Sequence, residues 1–162
     1  MRLLSLAVSS VLLVSCSQTF YVVRHAEKAN PAQAHMMSTD VPLTDTGRLR
    51  AEKLKELLRN KKIGLVYSTN TIRTRTTAEP TANHFLLSIN YYGPRPDSAF
   101  IRLLKSKRQN TLVVGHSNTV DDIVNMLCGV IKIPADLNDP DYDNLFVIKR
   151  RGRKFIFRND KF

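Results

Sequence analysis

Runs of β-branched and aromatic residues alternate along this chain with longer amphipathic stretches, and that alternation sets its class. Thr19-Phe20-Tyr21-Val22-Val23 is an unbroken apolar run, as expected of a strand buried on both faces. It stops at Arg24-His25, which places two polar side chains at a strand's carboxyl end. Residues 29–42 hold two prolines and several turn formers without a period, and read as a loop. Thr44 or Asp45 should cap a helix running to about Asn60, with Leu49, Leu54, Leu57 and Leu58 facing inward. A second strand is expected over 63–67. A helix is expected over 71–82, where Pro80 should kink or end it. Residues 89–92 form a short strand, 97–107 an amphipathic helix, and 111–114 a fourth strand closed by Gly115-His116. A helix over 120–128 should end at Gly129. Residues 144–149 and 154–158 read as a terminal hairpin turning at Arg151-Gly152.

Strands alternating with helices predict an α/β fold. The expected form is a three-layer sandwich, with a mostly parallel sheet, helices on both faces and an antiparallel C-terminal edge hairpin. Ligands of such sheets bind beyond the carboxyl ends of the strands. Arg24-His25 and Gly115-His116 both fall there.

Composition narrows the picture without changing it. At 162 residues and 43% hydrophobic, the chain has enough apolar material for one domain and too much for a disordered polymer. No internal repeat is present, and two cysteines cannot build a disulfide scaffold. Cys128 reads as a small buried hydrophobe. The formal charge of +11 points to anionic partners. Much of it lies in residues 149–161, where Lys149, Arg150, Arg151, Arg153, Lys154, Arg158 and Lys161 face a single acid, Asp160. Charged edge strands resist aggregation, and a basic edge also suits anionic lipid headgroups or an acidic polymer. The chain carries no nucleic-acid motif, so nucleic acid is a poor fit.

The first residues read as an address. Met1-Arg2 is followed by an apolar stretch, Leu3 to Val14, interrupted by three serines and too short to span a bilayer. Leu13-Val14-Ser15-Cys16 resembles the lipobox of bacterial lipoproteins. That resemblance implies residues 1–16 as a leader with lipidation at Cys16, and residues 17–162 as a single domain. The protein would then be anchored outside the cytoplasm, in a bacterial envelope.

Three segments carry candidate chemistry: Arg24-His25-Ala26-Glu27, Arg73 with Thr77-Ala78, and Gly115-His116-Ser117. Two histidines just beyond strands, and arginines on the first turn of a helix, could together cradle a phosphate-like dianion. With Pro42-Leu43-Thr44 and Gly47, these motifs resemble the histidine phosphatase superfamily, also called phosphoglycerate mutase-like, over residues 19–149. Ala26 stands where that family usually has glycine. The resemblance implies His25 as nucleophile, with Arg24, Arg73 and His116 binding the phosphoryl group and Ser117 and Lys28 beside it. It implies a phosphatase that passes through a phosphohistidine intermediate and acts on small phosphate esters or anhydrides. Protein phosphohistidine, or phosphate binding without turnover, are the alternatives. No cofactor is expected, since guanidinium groups supply the positive charge, and the four histidines lack metal-ligand spacing. Glu27, ahead of Asp97, is the candidate general acid; Asp97 serves equally as a helix N-cap. The long insertions of the mutases are missing, which argues against mutase activity. His35-Met36-Met37 lies in the loop between nucleophile and helix, where it would either touch substrate or pack the loop.

Overall fold

The computed structural model describes residues 17–30 and 40–162. The leader, Cys16 and His35-Met36-Met37 lie outside the described residues. In chain order the elements are β1 (Ser17–Arg24), α1 (Asp45–Leu58), β2 (Ile63–Thr69), α2 (Ile72–His84), β3 (Ile89–Tyr92), α3 (Ser98–Ser106), β4 (Asn110–Gly115), α4 (Val120–Cys128), β5 (Asn144–Arg151) and β6 (Lys154–Lys161). One sheet, ordered β3-β2-β4-β1-β5-β6, holds all six strands. The first four run parallel and β5 and β6 antiparallel at the edge. The expected α/β sandwich with its edge hairpin is the observed one.

The central strands are buried on both faces, so each strand feeds two cores. Phe20 and Val22 point to one side and pack with Phe100, Leu104, Ile123 and Leu127 from α3 and α4. Tyr21 and Val23 point to the other and meet Leu54, Leu58, Ala78 and Ala82 from α1 and α2. This is the period-2 alternation of a strand between two helical layers. No helix among the described residues is long and apolar enough to cross a membrane.

Two expectations are revised. Leu49 and Leu57 face outward, at 71% and 42% exposure. The inward stripe of α1 is Gly47, Ala51, Leu54 and Leu58, spaced by four, three and four. The face is chosen by Gly47, whose added Cβ would collide with the Glu27 carbonyl. Only a bare backbone lets the first turn of α1 lie against the segment that follows His25. A Gly47→Ala variant should therefore lose about 1–3 kcal/mol of stability, read by urea unfolding. An unchanged midpoint would refute that close approach.

The second concerns Pro80, which does not end α2; the helix runs on to His84. An interior proline costs about 3 kcal/mol locally. Here the buried residues Thr77, Ala78, Thr81 and Ala82 on both sides of it fasten the helix to the sheet, and packing prevails. The other boundaries fall near those expected. Thr44 caps α1 through Gly47 N–H at 3.0 Å, and Gly129 closes α4 in the left-handed region at φ 72°. Gly152, at φ 59°, leads the two-residue turn between β5 and β6.

Candidate active site

β1 and β4 are neighbours, with Arg24 registered on Gly115, so the residues just past their ends meet. The His25 N–H donates to Gly115 O at 2.9 Å. The His25 and His116 rings stand 5.5 Å apart in an edge-on arrangement. α2 follows β2 and brings Arg73 to the same place, its Nη2 3.5 Å from His116 Nδ1. Arg24, His25, Arg73 and His116 thus surround one spot at the mouth of the sheet, although 92 positions separate the first from the last in the numbering.

Each imidazole is held in one tautomer. His25 is 3% exposed, and its Nδ1 lies 2.8 Å from Ala26 O. A carbonyl only accepts, so the proton sits on Nδ1 and the lone pair on Nε2. Burial lowers the His25 pKa to about 3, opposed by the Ala26 bond and reinforced by Arg24 and Arg73. The ring is a neutral base across the physiological range. The segment is braced from α2: Ala26 N–H donates to Thr77 Oγ1 at 3.0 Å, and that hydroxyl donates to Arg73 O at 2.8 Å. One threonine therefore sets the nucleophile loop against the arginine's helix turn.

His116 Nε2 lies 2.9 Å from Thr69 Oγ1, whose own proton goes to Thr74. Nε2 is therefore the donor, and Nδ1 faces Arg73 as an acceptor. Burial, followed by the Arg73 and Arg24 charges, lowers the His116 pKa to about 4. His116 is neutral here, so the donor expected of a charged imidazole requires a dianion beside it to restore the proton. Gly115 permits this placement, since a Cβ there would press on Tyr92 and Thr119.

The arginines are placed as expected but are not unattached. Arg24 is 2% exposed; Nη1 donates to Asn138 O at 2.7 Å and Nη2 to Asp139 Oδ1 at 2.7 Å. Its guanidinium lies 4.1 Å over the Tyr142 ring. Both terminal nitrogens hold the 138–139 loop. Buried Nε has no partner among the described residues. Arg73 Nη1 sits 3.4 Å from Asp40, which also accepts the Ile72 N–H at the start of α2. A carboxylate thus stands at a helix N-terminus suited to an anion.

Glu27, the candidate acid, is paired with Arg50. Both its oxygens accept from Arg50 Nε, at 2.8 and 2.9 Å, and Oε1 also accepts from Nη2. Burial by itself would raise its pKa, but the Arg50 hydrogen bonds and charge hold it below the ordinary value. It stays ionised and braces the loop against α1. The partner is Arg50 rather than Arg24 or Lys28. Asp97 is the N-cap of α3, accepting from Phe100 N–H at 2.7 Å. Lys28 is exposed on a short bridge to Leu43, and its charge helps lower the His116 pKa. Ser117 is half-buried, and its carbonyl accepts from Leu137 N–H.

Sequence reasoning missed Asp40, Thr69, Asp139 and Tyr142. The signal for the last two was the long stretch between α4 and β5, whose Asp139-Pro140-Asp141-Tyr142 turn must return to the sheet mouth before β5 can start. No group of three or more His, Cys, Asp or Glu able to hold a metal ion occurs among the described residues.

The two histidines make stability depend on pH. Both fold with pKa values depressed below about 6.5, so the unfolded chain binds more protons between that value and 3–4. Their contribution is complete above pH 6.5 and is lost on acidification toward the folded values, at up to about 1.4 kcal/mol per unit for each. Urea midpoints should fall from pH 7 to pH 4, and His25→Gln should flatten the slope. A flat profile for the unaltered chain would contradict the buried neutral rings.

The sequence model of the histidine phosphatase superfamily (branch 1) matches residues 20–92. No curated protein matches the sequence. Solved structures match the fold. One is the phosphoserine phosphatase of Entamoeba histolytica, solved with 3-phosphoglyceric acid: 12% identity, TM-score 0.66, 90% of this chain and 98% of that one. Another is a candidate phosphohistidine phosphatase, SixA, from Agrobacterium tumefaciens: 20% identity, TM-score 0.64, 87% and 96% covered. A third is a mycobacterial glucosyl-3-phosphoglycerate phosphatase: 12% identity, TM-score 0.60, 90% and 98% covered. At these identities the likeness is one of fold.

Proposed function

We propose that this chain is a member of the histidine phosphatase superfamily, a reading supported by the family model over residues 20–92, and that it hydrolyses phosphoryl compounds through His25 without a metal. The observation that carries the reading is a neutral His25 ring, 5.5 Å from His116, with two guanidiniums beside the pair. Nε2 of His25 attacks phosphorus; the N–P bond forms as the bond to the leaving group breaks. Water then attacks the phosphohistidine, releases orthophosphate and returns the lone pair to Nε2. Arg73, and a His116 that takes up a proton from solvent once the dianion lies beside it, stabilise the equatorial oxygens.

Leaving groups follow from the carboxylates. Glu27 is held ionised and Asp97 caps a helix, so neither supplies a proton. Substrates whose leaving groups depart unaided are therefore favoured: anhydrides, aryl phosphates and phosphoramidates such as phosphohistidine. General acids contribute about 10²–10⁴-fold, so simple alkyl phosphates should turn over roughly a hundredfold more slowly or worse. A substrate panel tests this; alkyl phosphates hydrolysed as fast as aryl ones would overturn the preference. Phosphoenzyme trapped from an aryl phosphate should be acid-labile, alkali-stable and absent in His25→Ala.

The place of action is part of the same proposal: a lipid-anchored domain outside the cytoplasm, supported by the lipobox-like Leu13 to Cys16. The mass of the mature N-terminus tests it.

A further inference from the structure

The active site occupies one pole of the sheet; the opposite pole has a different composition. There the parallel strands begin and the four helices end. Segments 59–62, 105–108 and 149–154 meet at that pole with eleven Lys and Arg and no Asp or Glu. Glu56, one turn back, pairs with Arg59. By contrast, residues 136–143 bring four aspartates to the site's pole, where Asp45, Asp97, Asp121 and Asp122 also lie at helix starts.

Exposed apolar side chains lie at the same pole, just past helix ends. Leu86, just past α2, is 93% exposed and sits at φ 55°, a disfavoured backbone for leucine. Val130 and Ile131, just past α4 in the other helical layer, are 56% and 77% exposed. A cleft of about 280 Å³ between the end of α3 and the β5–β6 turn is lined by Lys105, Lys107, Arg108 and Arg150. Ser17, exposed and registered on Arg151, opens β1 at this pole, so the segment bearing Cys16 joins the domain there.

We propose that this pole is a docking face for an anionic lipid bilayer, with the active site held at the far side, turned toward soluble substrates. Basic side chains meet the headgroups, while Leu86, Val130 and Ile131 enter the interface between them. The aspartates of the other pole are repelled by the same surface, which fixes the orientation.

The test uses the full chain with Cys16→Ser, so that no lipid is attached. Co-sedimentation is measured with vesicles of phosphatidylcholine alone or with 30% phosphatidylglycerol. Binding should need the anionic lipid and fall with salt. R151E/R153E/K154E should weaken it on the order of a hundredfold, with aryl phosphate hydrolysis unchanged. K53E/R102E, away from the pole, should leave binding intact. The chain has no tryptophan, so Ile131→Trp reports insertion directly. Its fluorescence should shift to the blue on anionic vesicles, whereas an Asp136→Trp reporter at the site's pole should not. Equal binding to neutral vesicles, equal loss in the two charge variants, a shift confined to the Asp136→Trp reporter, or retention on heparin without vesicle binding would overturn the proposal. Vesicle binding is scored independently of catalysis, so a chain with no phosphatase activity could still pass.

Discussion

Replacing His25 by alanine should abolish turnover, lowering kcat for an aryl phosphate by about 10⁴-fold or more. The expectation follows from the ring's setting. Nδ1 is committed to Ala26 O at 2.8 Å and burial lowers the pKa to about 3, so Nε2 is an unprotonated nucleophile at neutral pH. Alanine offers no atom that can form the N–P bond, and water would have to attack directly. A 10⁴-fold loss corresponds to about 5 kcal/mol of barrier. The ring is buried, so stability will fall too, and the comparison needs a variant that folds. His25→Asn retains a polar side chain of similar reach without a nucleophilic nitrogen; it should melt closer to the unaltered chain and be equally inactive. Phosphate should still protect either variant against heat, because Arg73 and His116 remain. Residual activity above a tenth of the original would remove His25 from the chemistry.

The second large effect is expected at Arg24. Arg24→Ala should reduce kcat/KM by about 10²–10³-fold and cost about 2–4 kcal/mol of stability. The two losses have different origins. A nearly wholly buried guanidinium leaves a cavity when truncated, strands the Asn138 carbonyl and releases the 138–142 loop from Tyr142. The Asp139 carboxylate contributes little to that cost, since it is 83% exposed and regains water. The catalytic loss is that of a positive charge beside the reacting phosphoryl group. Arg24→Lys separates them: the charge survives, the two-pronged grip on the loop does not. It should restore a larger share of kcat than of melting temperature. Equal recovery of both, or none of either, would merge the two roles into one.

The fold was legible because strands and helices differ in period here, and because the apolar run ending at Val23 can only be a strand buried on both sides. The four candidate site residues were legible for a related reason: Arg24 ends β1, His25 and His116 directly follow β1 and β4, and Arg73 lies in the first turn of the helix after β2, positions that a parallel sheet gathers at one edge. The face of α1 was not legible. Four leucines outweigh one glycine in any count of hydrophobic positions, yet contact with Glu27 admits only Gly47, and Leu49 is turned outward. That the helix would run past Pro80 was hidden in the same way, since a local cost is visible in sequence and the packing of Thr77 and Thr81 is not. The pairing of Glu27 with Arg50 was not legible, because the two are 23 positions apart and become partners only once α1 is docked. Asp40 and Asp139 lie in irregular segments, where no periodicity states what a side chain will meet.

The pairing of β1 with β4 joins positions 91 residues apart, as in the Thr19–Asn110 contact. Closing so long a loop is costly in chain entropy and pays off only when the whole central sheet forms. Until then no half-assembled pocket exists, and a nascent chain that ends before residue 110 has neither His116 nor its strand. Capture of the anion is therefore coupled to global folding: orthophosphate at a hundred times its dissociation constant should raise the unfolding free energy of the entire domain by about 2.7 kcal/mol, in a single transition.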